Sequence, residues 1–209
     1  MLETIKNIFK KRKGAFFNST DYELNNFFCG FGKCKIENDK ITISDYKFKP
    51  SKAYPKITIS KEQITSITID SNPPQINYEN EWIFVSAELK DELEKFINRN
   101  NILKTEKNWN WDSILDPFLD TEFSEEEQES TLNKLEENGI KRNETLEIRG
   151  KVSKQMYKYN FDTMLWDWCS LGLADVLQAM RVKLTDEEFK DFYKYAMKIE
   201  NKNATQHGV

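Results

Sequence analysis

The stretch QINYENEWIFVSAELKDELEKFINRN, residues 75–100, contains two different hydrophobic periods. Up to Val85 the residues alternate and are rich in Ile, Tyr and Trp, as in a strand whose successive side chains point to opposite faces. From Ser86 onward, Leu89, Leu93, Phe96 and Ile97 recur at helical spacing and form one stripe, with Ser86 placed as an N-cap. The switch decides the fold class: strands dominate before it and helices after it.

Upstream of the switch the alternation continues. KCKIENDKITIS, residues 33–44, reads as two short strands about a turn at Asn38-Asp39, with Ile41 and Ile43 on one face. KITIS at 56–60 and QITSITID at 63–70 read the same way, and SNPPQ at 71–75 interrupts, because Pro73 and Pro74 cannot donate ladder hydrogen bonds. Short antiparallel strands closed by one amphipathic helix resemble a bacterial PH-like domain. The resemblance is carried by WIFVSAELKDELEKFINRN (82–100) and spans residues 30 to 100 at most. It implies a small antiparallel β-rich module closed by a helix.

Downstream the chain reads as helical throughout. Ser124 with Glu127 and Thr185 with Glu188 form capping boxes. Gly139 is a helix stop, with Leu135 and Ile140 placed to meet in a Schellman motif. Leu184 is spaced to staple onto Phe189, and Phe189, Phe192, Tyr193, Ala196 and Met197 form an unbroken apolar stripe. The expected class is α+β in two modules. Residues 1–100 are the β-rich module with its closing helix, 108–209 are an acidic helical module, and NRNNILKTEKN (98–108) is the linker. Charge divides at the same place. Residues 1–107 carry 18 Lys/Arg against 15 Asp/Glu, a balance of +3, and residues 108–209 carry 13 against 20, a balance of −7.

Composition excludes several function classes. A net charge of −4 argues against a dedicated nucleic-acid binder, which needs a basic face to neutralise phosphates. Cys29, Cys34 and Cys169 are odd in number with no CxxC pair, so reduced, buried thiols are expected. The only histidine, His207, lies close to the C-terminus, which removes Ser-His and Cys-His catalysis and His-bearing zinc sites. CGFGK at 29–33 is too short for a phosphate-binding fingerprint. No cofactor and no metal are expected. MLETIKNIFKKRKG at the N-terminus lacks an apolar h-region, and no run reaches the length of a spanning helix, so the expected location is cytoplasmic.

Three stretches are candidates for function. NWNWDSILDPFLDTEFSEEE (108–127) spaces Asp112, Asp116 and Asp120 at four residues, as a cation site on one helix face would. Pro117 opposes that reading; Asp116 is read instead as an N-cap with proline in the first helical position. FDTMLWDWCSLGLADVLQAMR (161–181) reads as one central helix whose polar residues Thr163, Asp167, Ser170, Gln178 and Arg181 fall on a narrow stripe. Either that stripe is an edge reaching solvent or an Arg149-type partner, or it binds a ligand. In the second case Asp167, flanked by Trp166 and Trp168, grips a basic side chain by charge and cation–π contact. Asp175 is a candidate buried partner for a basic group. Finally, Ile5, Ile8 and Phe9 with Lys6, Lys10, Lys11, Arg12 and Lys13 resemble a membrane-surface helix, although a solvated first helix packed by its apolar side is the preferred reading.

The functional expectation is therefore a non-enzymatic protein-binding module of the inhibitor or immunity type that masks a basic partner. Its contact residues are Trp166, Asp167, Trp168, Gln178 and Arg181. The rivals are a membrane-surface adaptor using the basic N-terminus and a carboxylate-dependent hydrolase whose acids meet only in space.

Overall fold

The computed structural model describes residues 20–119, 124–163 and 170–202. Helix α1 (Asp21–Asn26) starts at a capping box between Thr20 and Glu23. Strands β1 (Lys33–Ile36), β2 (Lys40–Ser44) and β3 (Lys56–Ser60) then form an antiparallel meander. Ile41, Ile43 and Ile59 are fully buried on one face of it, as the period of two requires. A second meander contains β4 (Ile64–Thr68), β5 (Gln75–Tyr78) and β6 (Glu81–Phe84). Its register places Ile67 opposite Ile76 and Ile76 opposite Ile83, a buried row across all three strands. Glu79 and Asn80 take positive φ of 49° and 62°, the two-residue turn whose twist suits a tight hairpin.

Helix α2 (Lys90–Asn100) buries Leu93, Phe96 and Ile97, as the stripe predicted. Ser86 makes no side-chain cap, however, because a 3₁₀ turn at Ala87–Leu89 comes between it and the helix. The stretch read as a linker is also built into the fold. The Ile67 amide donates to the Leu103 carbonyl (2.9 Å) and the Thr105 amide to the Ile67 carbonyl (3.0 Å), so residues 103–105 lie along β4.

The helical half comprises α3 (Asn110–Leu115), α4 (Glu125–Glu137), α5 (Arg142–Thr163), α6 (Leu173–Lys183) and α7 (Asp186–Glu200). Both expected capping boxes form. Gly139, at φ +76°, ends α4: its amide donates to the Glu136 carbonyl, and the Ile140 amide donates to the Leu135 carbonyl. That is the expected Schellman pattern, with Leu135 and Ile140 both buried.

Two local readings are corrected. Asp116 is not an N-cap: it closes α3, its amide bonded to the Asp112 carbonyl, and opens a 3₁₀ turn at Asp116–Phe118. Burial of Trp111, Ile114 and Leu115 draws the preceding residues into a helix, and Pro117 is tolerated early in the new turn, where its missing N–H costs nothing. Residues 161–181 are not one helix. Ser170 and Leu171 are non-helical and Gly172 is extended (φ −140°, ψ −164°), so α6 starts afresh behind it. The stripe from Thr163 to Arg181 therefore does not lie on one helical face.

A single apolar cluster runs from Phe27 to Ile199 and draws on both halves. Phe48 packs against Phe84 of β6 and against Phe189 and Tyr193 of α7. The Tyr193 hydroxyl donates to the buried Glu81 carboxylate at 2.8 Å, and Ser51 and the Lys52 amide donate to the same group. Helix α1 docks onto the helical half through Phe27 edge-on to Tyr159 and a buried Glu23–Lys158 ion pair at 3.1 Å. The change of period at Ser86 marks a change of secondary structure and not a gap in the core.

Candidate functional site

A group of buried polar residues sits where three helix ends converge. Helix α3 starts next to the C-terminal end of α7, and each caps the other. Asn108 donates its side-chain amide to the carbonyls of Glu200 and Lys202, and Asn110 donates to those of Ile199 (2.9 Å) and Lys202 (2.7 Å). Ile199 and Glu200 belong to the last turn of α7, whose carbonyls lack i+4 partners within the helix, and Lys202 lies just beyond it. In return, the Glu200 carboxyl receives the Trp111 amide, one of the orphan N–H groups at the start of α3. The Trp111 indole donates to the Ala196 carbonyl at 3.0 Å.

The third helix end belongs to α6. Asp175, in its first turn, accepts the Gly172 amide at 2.8 Å and the Tyr159 hydroxyl at 2.9 Å. A Cβ at Gly172 would lie 3.3 Å from Asp112 Oδ2, so glycine lets the two helix starts approach closely. Asp112, Asp175 and Glu200 thus gather around the N-termini of α3 and α6, whose dipoles favour negative charge. Among the described residues, Lys107 is the cation that faces them. The Lys107 ammonium pairs with Asp112 Oδ1 with both side chains nine-tenths buried, and it lies 4.3 Å from the ring centre of the half-exposed Trp109. At the other end of α3, Arg149 donates to the Ile114 and Ser113 carbonyls at 3.0 Å each.

Electrostatics separate the three acids. Glu200 is 1% exposed; loss of hydration and the neighbouring Asp112 charge push its pKa up to about 8, against the pull of Lys107 and the Trp111 amide. Burial pushes Asp175 up to about 6, against its bonds to Gly172 and Tyr159. Asp112 is raised by burial and pulled back chiefly by Lys107. Asp116 is raised by burial and then by Asp112, and lowered by Arg149. Chemically the site pairs a carboxyl that keeps its proton at neutral pH with a carboxylate held by a lysine. Among the described residues, no group of three or more His, Cys, Asp or Glu could hold a metal ion. Lys107 occupies the cationic role in this cluster.

Of the residues singled out as a partner surface, Trp166, Asp167 and Trp168 lie outside the described residues. Gln178 is buried, at 6% exposure. Arg181 donates to the Asn26 carbonyl at 2.9 Å and ties α6 to α1. Cys29 and Cys34 are free and half-buried, and burial raises both thiols, Cys34 to about 12; Cys169, His207, Asp120 and the basic residues 6–13 lie outside the described residues. Among the described residues, Asp175 has a tyrosine hydroxyl and a backbone amide as direct partners, not a basic side chain.

The reading from sequence missed Lys107, Glu200 and the two asparagines. Glu200 carried a signal. It continues the series Phe189, Phe192, Tyr193, Ala196, Met197 at helical spacing, which places an acid on an apolar stripe. No protein-family model, curated protein or solved structure matches this chain.

Proposed function

We propose that this chain is a non-enzymatic protein-binding module of the inhibitor or immunity type, masking a basic partner with its acidic helical half. The observation that supports it best is helix α4. Residues 125–137 hold six glutamates and one lysine, a balance of −5, and all six glutamates are exposed. Arg142 pairs with Glu129 at 2.7 Å and lies 3.8 Å from Glu136, so one end of this face is fixed to α5. A rigid acidic face steers association with a basic partner and suppresses wrong ones. The same proposal includes a PH-like character for residues 30–100, supported by the two meanders and α2. It also includes a cytoplasmic setting; among the described residues no helix is long and apolar enough to cross a membrane.

The test is capture at low salt from native lysate, comparing the wild type with the exposed triple variant Glu125→Lys/Glu126→Lys/Glu137→Lys and with Asp167→Asn. A basic protein should be retained by the wild type, lost from the triple variant, and weakened by Asp167→Asn with the fold intact. Equal retention by all three, or no enriched protein, defeats the proposal.

A carboxylate-dependent hydrolase is the second reading, supported by the convergence of Asp112, Asp175 and Glu200 with a proton-holding acid among them. It requires hydrolytic turnover that Glu200→Gln abolishes while circular dichroism stays unchanged.

A further inference from the structure

We infer that a second copy of this chain docks its helix α4 on the solvent face of the β1–β2–β3 meander. The meander buries Ile41, Ile43 and Ile59 on one side and leaves the other side open. On the open side Lys33 stands opposite Ser44 and Ser44 opposite Lys56, with Lys35, Thr42 and Thr58 in the next row. The Thr42 and Thr58 hydroxyls are bonded to each other at 3.1 Å, and no apolar side chain interrupts these two rows. The connection from β2 to β3 adds Lys47, Lys49 and Lys52, all exposed. Residues 33–61 hold eight lysines against Glu37, Asp39 and Asp45, a balance of +5. Asp186 and Glu79 pair with Lys49 and Lys52 and reduce it to +3.

Helix α4 is complementary in sign and in size. At about 100° per residue, Glu125, Glu126, Glu129, Glu136 and Glu137 fall within an arc of about 120°, and Lys134 falls outside it. With Arg142 set against Glu129, this face keeps a balance of −4. Thirteen helical residues extend about 20 Å. Strands of four or five residues extend about 13–17 Å, so the acidic arc is long enough to cover the lysine rows. Within one chain the meander lysines pair with Glu37, Asp45, Glu79 and Asp186, and the α4 glutamates with Arg142. Among the described residues, no ion pair joins the two faces, so each is left open to another molecule. Every copy carries both faces, and a second copy therefore meets the charge requirement of each. The inference rests on α4 as a docking face, as the proposed function does, and names the chain's own meander as a basic surface that α4 takes.

The two faces differ, so the contact is head-to-tail. Each docked pair leaves one meander and one α4 unfilled, and assembly continues with concentration unless the rotation closes a ring. The charged groups are exposed, where single ion pairs are weak and salt screens them. Assembly therefore belongs to low ionic strength and dissolves as salt rises.

Sedimentation velocity of the purified full chain tests this, in about 20 mM and about 500 mM salt, between which the screening length falls from about 20 Å to about 4 Å. In low salt the average mass should climb with concentration beyond the 24.8 kDa of one chain, and in high salt it should return to that value. The variants Glu125→Lys/Glu126→Lys/Glu137→Lys and Lys47→Glu/Lys56→Glu should each lose the low-salt association. Their equimolar mixture should recover a complex of two chains and nothing larger, because one variant keeps an intact meander and the other an intact α4. The inference is overturned by a wild type that stays monomeric in low salt, by association that survives in either variant, or by a mixture that stays monomeric. Should a variant fail to fold, carbodiimide cross-linking of mixed ¹⁴N and ¹⁵N wild-type chains decides. Links between chains from α4 glutamates to Lys47 or Lys56 support the contact, and their absence refutes it. A monomeric wild type that still captures a foreign basic protein defeats this inference alone, whereas self-association with no foreign protein captured defeats only the proposed function.

Discussion

Asn110 offers the sharpest test of the α3–α7 joint. Its side chain is fully buried and makes three bonds, donating to the carbonyls of Ile199 and Lys202 and accepting the Asn138 side-chain amide at 2.7 Å. Asn110→Ala removes all three. At about 1 kcal/mol net per bond, the expected loss is about 3 kcal/mol. Ile199 and Lys202 keep other donors, from the Lys202 and Asn201 amides and from Asn108, which holds the estimate at the ordinary value for a hydrogen bond. Asn110→Asp is nearly isosteric and keeps the Asn138 bond, so hydrogen bonds alone would make it milder than alanine.

Charge reverses that order. A carboxylate at 110 points acceptors at two carbonyls and adds an anion beside Asp112 and Glu200, with Lys107 already shared. Its place in the first turn of α3 returns about 0.3–1 kcal/mol from the helix dipole. An uncompensated buried charge costs about 3–5 kcal/mol, which outweighs that return. Urea unfolding at pH 7, followed by circular dichroism, should rank wild type above Asn110→Ala and Asn110→Asp last. With a slope of about 2–3 kcal/mol per M, the alanine midpoint should drop by about 1 M. An aspartate variant at least as stable as the alanine variant would refute the capping scheme.

Three further outcomes follow from other parts of the molecule. Gly32→Ala should be far more costly than Gly30→Ala although both sit at positive φ (+75° and +67°): a Cβ at 32 would lie 2.3 Å from the Ser44 carbonyl, whereas one at 30 meets nothing, so Gly30→Ala should cost only about 1–2 kcal/mol in the same unfolding assay. Glu23→Gln should cost about 3–5 kcal/mol because it leaves Lys158 charged and buried, and the double change Glu23→Leu/Lys158→Met should recover part of that loss; a double variant no more stable than Glu23→Gln would sink this reading. Asp175 carries a pKa raised from 3.8 to about 6, so the folded state holds its proton more tightly than the unfolded chain; its contribution is complete below pH 4 and lost as pH rises to 6, about 3 kcal/mol at most, and Asp175→Asn should remove that slope from the difference in unfolding midpoints.

What could be read from the sequence was governed by distance along the chain. The Schellman stop at Gly139, the capping boxes at Ser124 and Thr185, and the burial of Ile41, Leu93 and Phe189 are local in origin: period and cap lie within a few residues of each other. Asp116 was misread because Asp-Pro is a good local start signal, while the burial of Trp111 and Leu115 against the rest of the molecule decided that a helix should end there. The run from 161 to 181 was read as continuous because its apolar residues tolerate a helix, and nothing adjacent announces that Gly172 must make room for Asp112. The bonds from Asn108 to Glu200 and from Tyr193 to Glu81 join residues 92 and 112 positions apart, a separation at which no period or cap signals a partner.

The location of the acids also changes what their number means for function. The −7 balance of residues 108–209 counts twenty acids as though all faced a partner. Asp112 and Glu200 are nine-tenths buried, Asp112 is matched by a lysine from outside that half, and Glu200 keeps its proton at neutral pH. Counting Glu200 as neutral moves the balance from −7 to −6 before any surface is considered. The inner acids set the docking of α3, α6 and α7, and no partner can neutralise them without opening the joint. Helix α4 differs: its six glutamates all face water, and with Arg142 of α5 set against Glu129 a balance of −4 remains on that face. Residues 125–137 are therefore the first place to seek an acidic face that recruits a basic protein. Charge reversal there should alter binding and leave the fold unchanged, whereas neutralising Asp112, which leaves the buried Lys107 charge unpaired, should alter the fold first.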